Sequence, residues 1–264
     1  MKTKEKNRIF NVALKLILMF VFCLGVLLLA ALSPVFGIKA IDVCGNAIYE
    51  KQTIIDMSDA AIGENGFRLL AENVKGLFTF RCYALEKEIS GKCPYIKEIR
   101  AKFFPPDKLK IEISERKPMC MVPYLGTNIL LDEEWHILDT VNASGYQDLP
   151  VVNGIRVKQY ELGQALEPEN PESLPRAVKL LDALKNADGP DEDFIRKVDS
   201  IDVGDASNAY VFYEGRIVAN FGDLRELEYR VRVLKHILLK NLKKEDKGLL
   251  DFTVGKDPVF MPER

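Results

Sequence analysis

The side chains best suited to catalysis or metal binding in this 264-residue chain are two histidines and five cysteines. His136 closes the run Asp132-Glu133-Glu134-Trp135-His136, where Glu133 and Glu134 could supply carboxylates beside an imidazole for proton transfer. Adjacent acids in a turn are more often simply solvated. His236 lies among Arg232, Lys235 and Lys240, the setting of a solvated basic face. A Cys-His nucleophile pair would need a spatial adjacency that no local signature around Cys44, Cys82, Cys93 or Cys120 announces. The cysteines form no CxxC pair, so neither a metal site nor a metal cofactor is expected. No GxSxG, HExxH, SxxK or P-loop signature is read beyond the anchor. These signals point away from an enzyme.

Two other patterns bear on binding. Arg225, Arg230, Arg232, Lys235, Lys240, Lys243, Lys244 and Lys247 concentrate near the C-terminus and could meet an anionic polymer or an acidic partner. Interleaved Glu226, Glu228, Glu245 and Asp246 favour a solvated face, and Tyr229 alone offers aromatic stacking, so nucleic acid is not expected. The second pattern is Val259-Phe260-Met261, bracketed by Pro258 and Pro262. Proline cannot donate a ladder hydrogen bond, so this short terminal strand belongs at a sheet edge, where unpaired backbone groups can template another chain.

The elements that must position these residues begin with an asymmetry. The chain averages 47% hydrophobic and 29% charged residues with a net charge of −2. Its first 15 residues nevertheless hold five basic residues against one acid, a surplus of +4 that leaves −6 for the rest. No charged residue occurs from Leu16 to Ile38, and about 20 apolar residues suffice to cross a bilayer as a helix. A core helix would show a polar stripe, and a cleaved signal would be shorter and free of Pro34 after Ser33. The expectation is an uncleaved anchor at 16–35 with a short cytoplasmic tail at 1–15, too short to fold. By the positive-inside rule the remainder lies outside the cell membrane. There the thiols read as small buried residues, and a helix between Cys82 and Cys93 would hold them about 16 Å apart, too far for a bridge.

Beyond the anchor, Phe36 to Val43 reads as a strand ended by Gly45-Asn46. Helices are expected over 50–61 and 82–90, and strands over 96–103 and 109–114. The remainder reads as mostly strands with two covering helices, 173–186 and 223–242, the second capped by Asp223. Strands are expected at 201–203, 209–213, 217–221, 249–254 and 259–261. The fold class is therefore α+β.

The pattern Phe36-x-Ile38-x-x-Ile41-x-Val43-x-Gly45-Asn46, then Pro94-Tyr95-Ile96, then Pro106-x-x-Leu109-x-Ile111-x-Ile113-x-Glu115-Arg116-x-Pro118, resembles the bacterial division family FtsQ, called DivIB in Gram-positive bacteria. Leu131-Asp132, Ile137-Leu138, Leu149-Pro150-Val151-Val152-Asn153-Gly154 and Asp251-Phe252 extend the resemblance. It implies a POTRA domain (β-α-α-β-β) at 36–116, an FtsQ/DivIB-type β domain at 117–264, and a non-enzymatic scaffold at the division septum. The implied partners are the single-pass coiled-coil proteins FtsB (DivIC) and FtsL, linked through it to septal peptidoglycan synthesis. Carried over residue by residue, the partner surface comprises Phe252, Val254, Lys256, Val259, Phe260 and Met261. Trp135 departs from the pattern, standing where the family often has glycine, which implies a differently shaped hairpin. An anchored cell-wall enzyme and a POTRA transport or assembly module are the alternatives, the latter lacking residues for a barrel.

Overall fold

The computed structural model describes residues 2–58, 62–71, 73–142, 145–189, 193–255 and 257–263. Helix α1 (Lys2–Ala31) contains a 19-residue stretch, Ala13–Ala31, long and apolar enough to cross a membrane and with none of it buried against the rest of the protein. The chain divides into two compact units, one through Glu115 and one from Arg116.

In the first unit β1 (Ala40–Cys44) is followed by four short helices, α2 (Lys51–Met57), α3 (Gly66–Ala71), α4 (Val74–Thr79) and α5 (Tyr83–Lys92), and then by β2 (Ile96–Phe104) and β3 (Lys108–Glu115). The sheet order is β1-β3-β2, with β1 parallel to β3 and β2 antiparallel to it. Alternation along the strands buries Ile41, Val43, Ile99, Ala101, Phe103, Leu109, Ile111 and Ile113 against Ile54, Leu70, Leu85 and Ile89 of the helices. Two of the helices, α2 and α5, stand where they were expected; α3 and α4 are additional. The first ends at Met57, earlier than the 50–61 expectation, because the Ser58 hydroxyl and amide turn back to the Ile55 carbonyl; 59–61 lie outside the described residues. Glu115 closes the turn after β1, its carboxylate accepting from the amides of Ala47 (2.8 Å), Ile48 (2.8 Å) and Tyr49 (3.2 Å).

The second unit is built on a nine-stranded sheet. Its strands are β4 (Pro118–Tyr124), β5 (Thr127–Asp132), β6 (Ile137–Val141), β7 (Val151–Asn153), β8 (Val198–Asp202), β9 (Tyr210–Tyr213), β10 (Ile217–Asn220), β11 (Gly248–Asp251) and β12 (Val259–Pro262). They lie in the order β12-β11-β10-β9-β8-β7-β4-β5-β6. Helices α6 (Ser173–Ala187) and α7 (Leu227–Lys240) join the sheet in one core through Ala177, Leu180, Leu181, Leu184, Val231, Leu234 and Leu238. The start of α7 differs from expectation. Asp223 accepts from the Arg225 amide in a local turn, Leu224 and Glu226 take left-handed φ of 64° and 49°, and the helix begins only at Leu227. Leu224 is thereby buried, which an earlier helical start would not require.

The β5–β6 connection also departs from the sequence reading. Trp135 itself adopts the left-handed conformation, with φ of 62°. Such a φ costs a non-glycine residue about 1–2 kcal/mol, and burial of the indole in the core, with only 6% exposed, offsets it. The hairpin thus keeps a backbone suited to glycine and uses the side chain to fill the core.

Candidate partner-binding edge

The histidine cluster is a braced turn. Asp132 is buried, and one of its carboxylate oxygens accepts from the amides of Glu134 (2.9 Å) and His136 (2.8 Å). Its other oxygen receives Arg116 Nη1 at 2.5 Å, and the same nitrogen reaches Glu134 at 3.0 Å. Asp132, Glu134 and His136 bring ligand-type atoms within 4.8 Å of one another, but the guanidinium stands between the two carboxylates, where a cation would have to bind. Glu133 instead pairs with Lys185. Burial pushes the Cys120 thiol up, and the nearby Asp132 charge adds to this, so the group stays protonated and a poor nucleophile. Burial likewise raises Cys93. One reading is corrected here: Ser114-Glu115-Arg116-Lys117 does have the SxxK spacing, but Ser114 and Glu115 are strand residues, whereas that chemistry needs a helical turn to set residues i and i+3 on one face.

Three of the eight side chains in the basic stretch are engaged within their own unit. Arg230 donates to the Phe221 carbonyl, Lys235 to the Ala187 carbonyl while lying 5.7 Å from the Phe194 ring centroid, and Arg225 pairs with Asp223. His236 is exposed on the same helix.

The C-terminal strand has a different character. β12 pairs antiparallel with β11, and among the described residues no strand lies beyond it. The other sheet edge, at β6, is partly covered, because Ile137 exchanges hydrogen bonds with Gln164 and Gly163. In an antiparallel pair the backbone groups of alternate residues face the partner strand and those between face away. Gly248 N–H bonds Arg216 O and Phe252 N–H bonds Asn220 O, so the even-numbered residues of β11 face β10. Glu263 N–H bonds Lys247 O on the β12 side. The register Leu249↔Met261 and Asp251↔Val259 then turns Val259 and Met261 inward to β11, leaving positions 258, 260 and 262 facing out. These are proline, phenylalanine and proline. The open edge accordingly offers three carbonyl acceptors and a single donor, the Phe260 N–H.

The side chains complete this geometry. Val259 and Met261, each 43% exposed, project on one face, while Phe260 is half-buried against the core. Across the strands the register aligns Met261 with Leu249, Leu249 with Val218, and Val218 with Phe212, an apolar row on the face opposite α6 and α7. All four are only partly covered. Of the residues expected on the partner surface, Val254 is exposed, Val259, Phe260 and Met261 form the edge, and Lys256 lies outside the described residues. Phe252 is 5% exposed and stacks on Phe221 with centroids 5.0 Å apart and planes 7° from parallel, so it supports the edge from beneath. Phe212, Val218 and Leu249 were not singled out in the sequence. The signal for each was an apolar residue beside an apolar neighbour in a short strand, Val211-Phe212, Ile217-Val218-Ala219 and Leu249-Leu250, which marks strands apolar on both faces.

No protein-family model matches the chain. Curated relatives do. The chain is 26% identical to the cell division protein DivIB of Clostridium botulinum strain Hall over 269 residues, which cover 100% of this chain and 95% of that protein. It is 20% identical over 227 residues to DivIB of Clostridium acetobutylicum, covering 86% of this chain and 83% of that one. It is 29% identical over 170 residues to the cell division protein FtsQ of Syntrophotalea carbinolica, covering 64% and 51%.

Proposed function

We propose that this chain, grouped with the FtsQ/DivIB family by its full-length similarity to curated members, acts in bacterial cell division as a non-enzymatic, membrane-anchored scaffold. In this reading α1 is the anchor, with the N-terminus cytoplasmic and both folded units outside. The first unit is the POTRA domain, with two extra short helices. The second is the partner-binding β domain, which holds FtsB (DivIC)-like and FtsL-like proteins and links them to septal peptidoglycan synthesis. The observation that carries the reading is the open edge of β12, flanked by a partly covered apolar row on a full-length relative of division proteins.

The mechanism is strand addition. A partner strand lying antiparallel to β12 exchanges two hydrogen bonds with Phe260 and donates to the outward carbonyls of the flanking prolines, while its apolar side chains continue the row from Met261. Two measurements test this in the full chain reconstituted with co-anchored partners. Val259→Glu and Met261→Glu should abolish co-purification without unfolding the second unit. Amide exchange should show Met261 protected with or without partner, and Phe260 protected only when partner is bound. Retained co-purification, or a Phe260 amide that never gains protection, refutes the assignment.

A further inference from the structure

The strands of the first unit fix a direction relative to α1. β1 starts at Ala40, close to the end of α1, and β3 starts beside it at Lys108. The opposite end is closed by Glu115 on the 47–49 turn. The near end is tied to α1 itself, because the Asn65 side-chain amide donates to Ala31 O (2.9 Å) and Ser33 O (3.0 Å). From there aromatic contacts run outward. Phe36 meets Phe67 at 5.0 Å between centroids, and Phe67 meets Phe80, the residue that ends α4, at 6.2 Å. The Phe103 amide donates to Phe80 O, bringing in the β2–β3 hairpin beside Phe104.

Exposed apolar side chains gather at this end. Val35, Ile62, Val74, Leu77, Phe78 and Phe104 are all exposed, Phe78 at 84%, while at the far end only Ile48 is comparably exposed among the described residues of the unit. Scattered single apolar residues need no explanation, but a one-sided concentration marks a contact surface. Among the described residues the unit's other exposed apolar surface is α1, and the Asn65 bonds hold its end to the same end of the unit as the patch. Exposed Arg68 and Lys75 lie beside the patch and could reach phosphate headgroups; among the described residues Glu64 is an exposed acid at this end and Asp107 is paired with Lys39.

We infer that this end of the first unit, led by Val74, Leu77 and Phe78 of α4, sits in the interfacial layer of the same bilayer that α1 crosses. The inference rests on reading α1 as a membrane span. Apolar groups at such a boundary lie about 5–10 Å into the headgroup and acyl region, a depth the side chains of a short helix can reach. Two attachments, α1 and α4, restrain the unit from swinging about the residues after Ala31.

Tryptophan depth measurements on the full chain in lipid vesicles separate this inference from the anchor reading. Phe78→Trp, at an exposed site, adds an emission read as a difference from the parent chain, whose own Trp135 is buried. Phe20→Trp does the same within α1. Expected for Phe78→Trp are a blue shift and loss of most of the added emission with lipids brominated near the top of the acyl chain. For Phe20→Trp the loss should come with bromine placed deep. Quenched Phe20→Trp beside water-like, unquenched Phe78→Trp overturns the inference and leaves the anchor standing. A blue shift at Phe78→Trp that bromine does not quench also overturns it, because protein then covers the patch. Failure of both tryptophans to quench overturns both readings.

Discussion

Truncating Phe252 separates a supporting role from a contacting one. The ring is 5% exposed and stacked on Phe221, so Phe252→Ala should cost about 3–5 kcal/mol of stability. Of that, about 0.5–1.5 kcal/mol comes from the ring pair itself. With a urea dependence of about 2 kcal/mol per molar, the unfolding midpoint should fall by roughly 2 M. Trp135, the single tryptophan, is buried in the same core and reports the transition by its fluorescence. Val259→Glu and Met261→Glu, at half-exposed positions, should stay within about 0.5 kcal/mol of the parent. Partner capture should show the opposite ranking. Phe252→Leu, which keeps much of the volume, should lose some stability and retain capture, whereas the two edge variants should retain stability and lose capture. The reasoning fails if Phe252→Leu leaves the midpoint unmoved yet abolishes capture, since the side chain would then touch the partner.

Two further outcomes follow from the same unit. Gly248 lies in β11 where an added Cβ would stand 2.2 Å from Met261 O, so Gly248→Ala should displace β12. The Met261 and Glu263 amides should lose exchange protection while Trp135 emission stays native, and continued protection of both would contradict the register. Burial pushes the Tyr213 phenol from its ordinary value near 10 up to about 12. Because the folded state holds this proton more tightly, the associated stability is complete below pH 10 and is lost as pH rises through about 12, up to roughly 2–3 kcal/mol. Tyr213→Phe should flatten that fall in circular dichroism unfolding curves, and parallel slopes in the two proteins would rule it out.

Much of this architecture was legible because it depends on patterns local to the chain. A charge-free run marked the long apolar helix α1, alternation marked β1, β2 and β3, and the two proline brackets put β12 at an edge. What escaped notice depends on contacts distant in sequence or on the phase of a pattern. The helices α3 and α4 are six residues each and carry Gly66 and Gly76, so neither has enough length to display a helical period. The late start of α7 follows from burying Leu224, which the chain shows only once folded. Phe252 and Phe260 look equivalent in sequence and both lie on the face that α6 and α7 cover, yet Phe252 follows the internal strand β11 and stacks on Phe221, whereas Phe260 sits on the edge strand β12 and is only half-buried. Similarly, Glu115-Arg116 reads as a motif, but its two roles, closing the 47–49 turn and bracing Asp132, appear only with their partners in place.

The two prolines explain how β12 can remain open without becoming a general hazard. An open edge rich in donors and acceptors pairs with any extended chain, and proteins commonly blunt such edges. Here Pro258 and Pro262 occupy outward positions, so they remove two donors from the open side and cost the β11 ladder nothing. One exchange pair at Phe260 and the two proline carbonyls give an incoming strand about four backbone bonds, too few to bind on those alone. Selectivity, on the proposed reading, therefore passes to the row from Met261 to Phe212, and affinity to the membrane. On the proposed reading, a partner anchored in the same bilayer meets the edge at an effective concentration that can reach the millimolar range, which makes a weak contact sufficient. A soluble peptide with the same strand should bind far more weakly than the anchored protein that carries it, and the difference measures what confinement contributes.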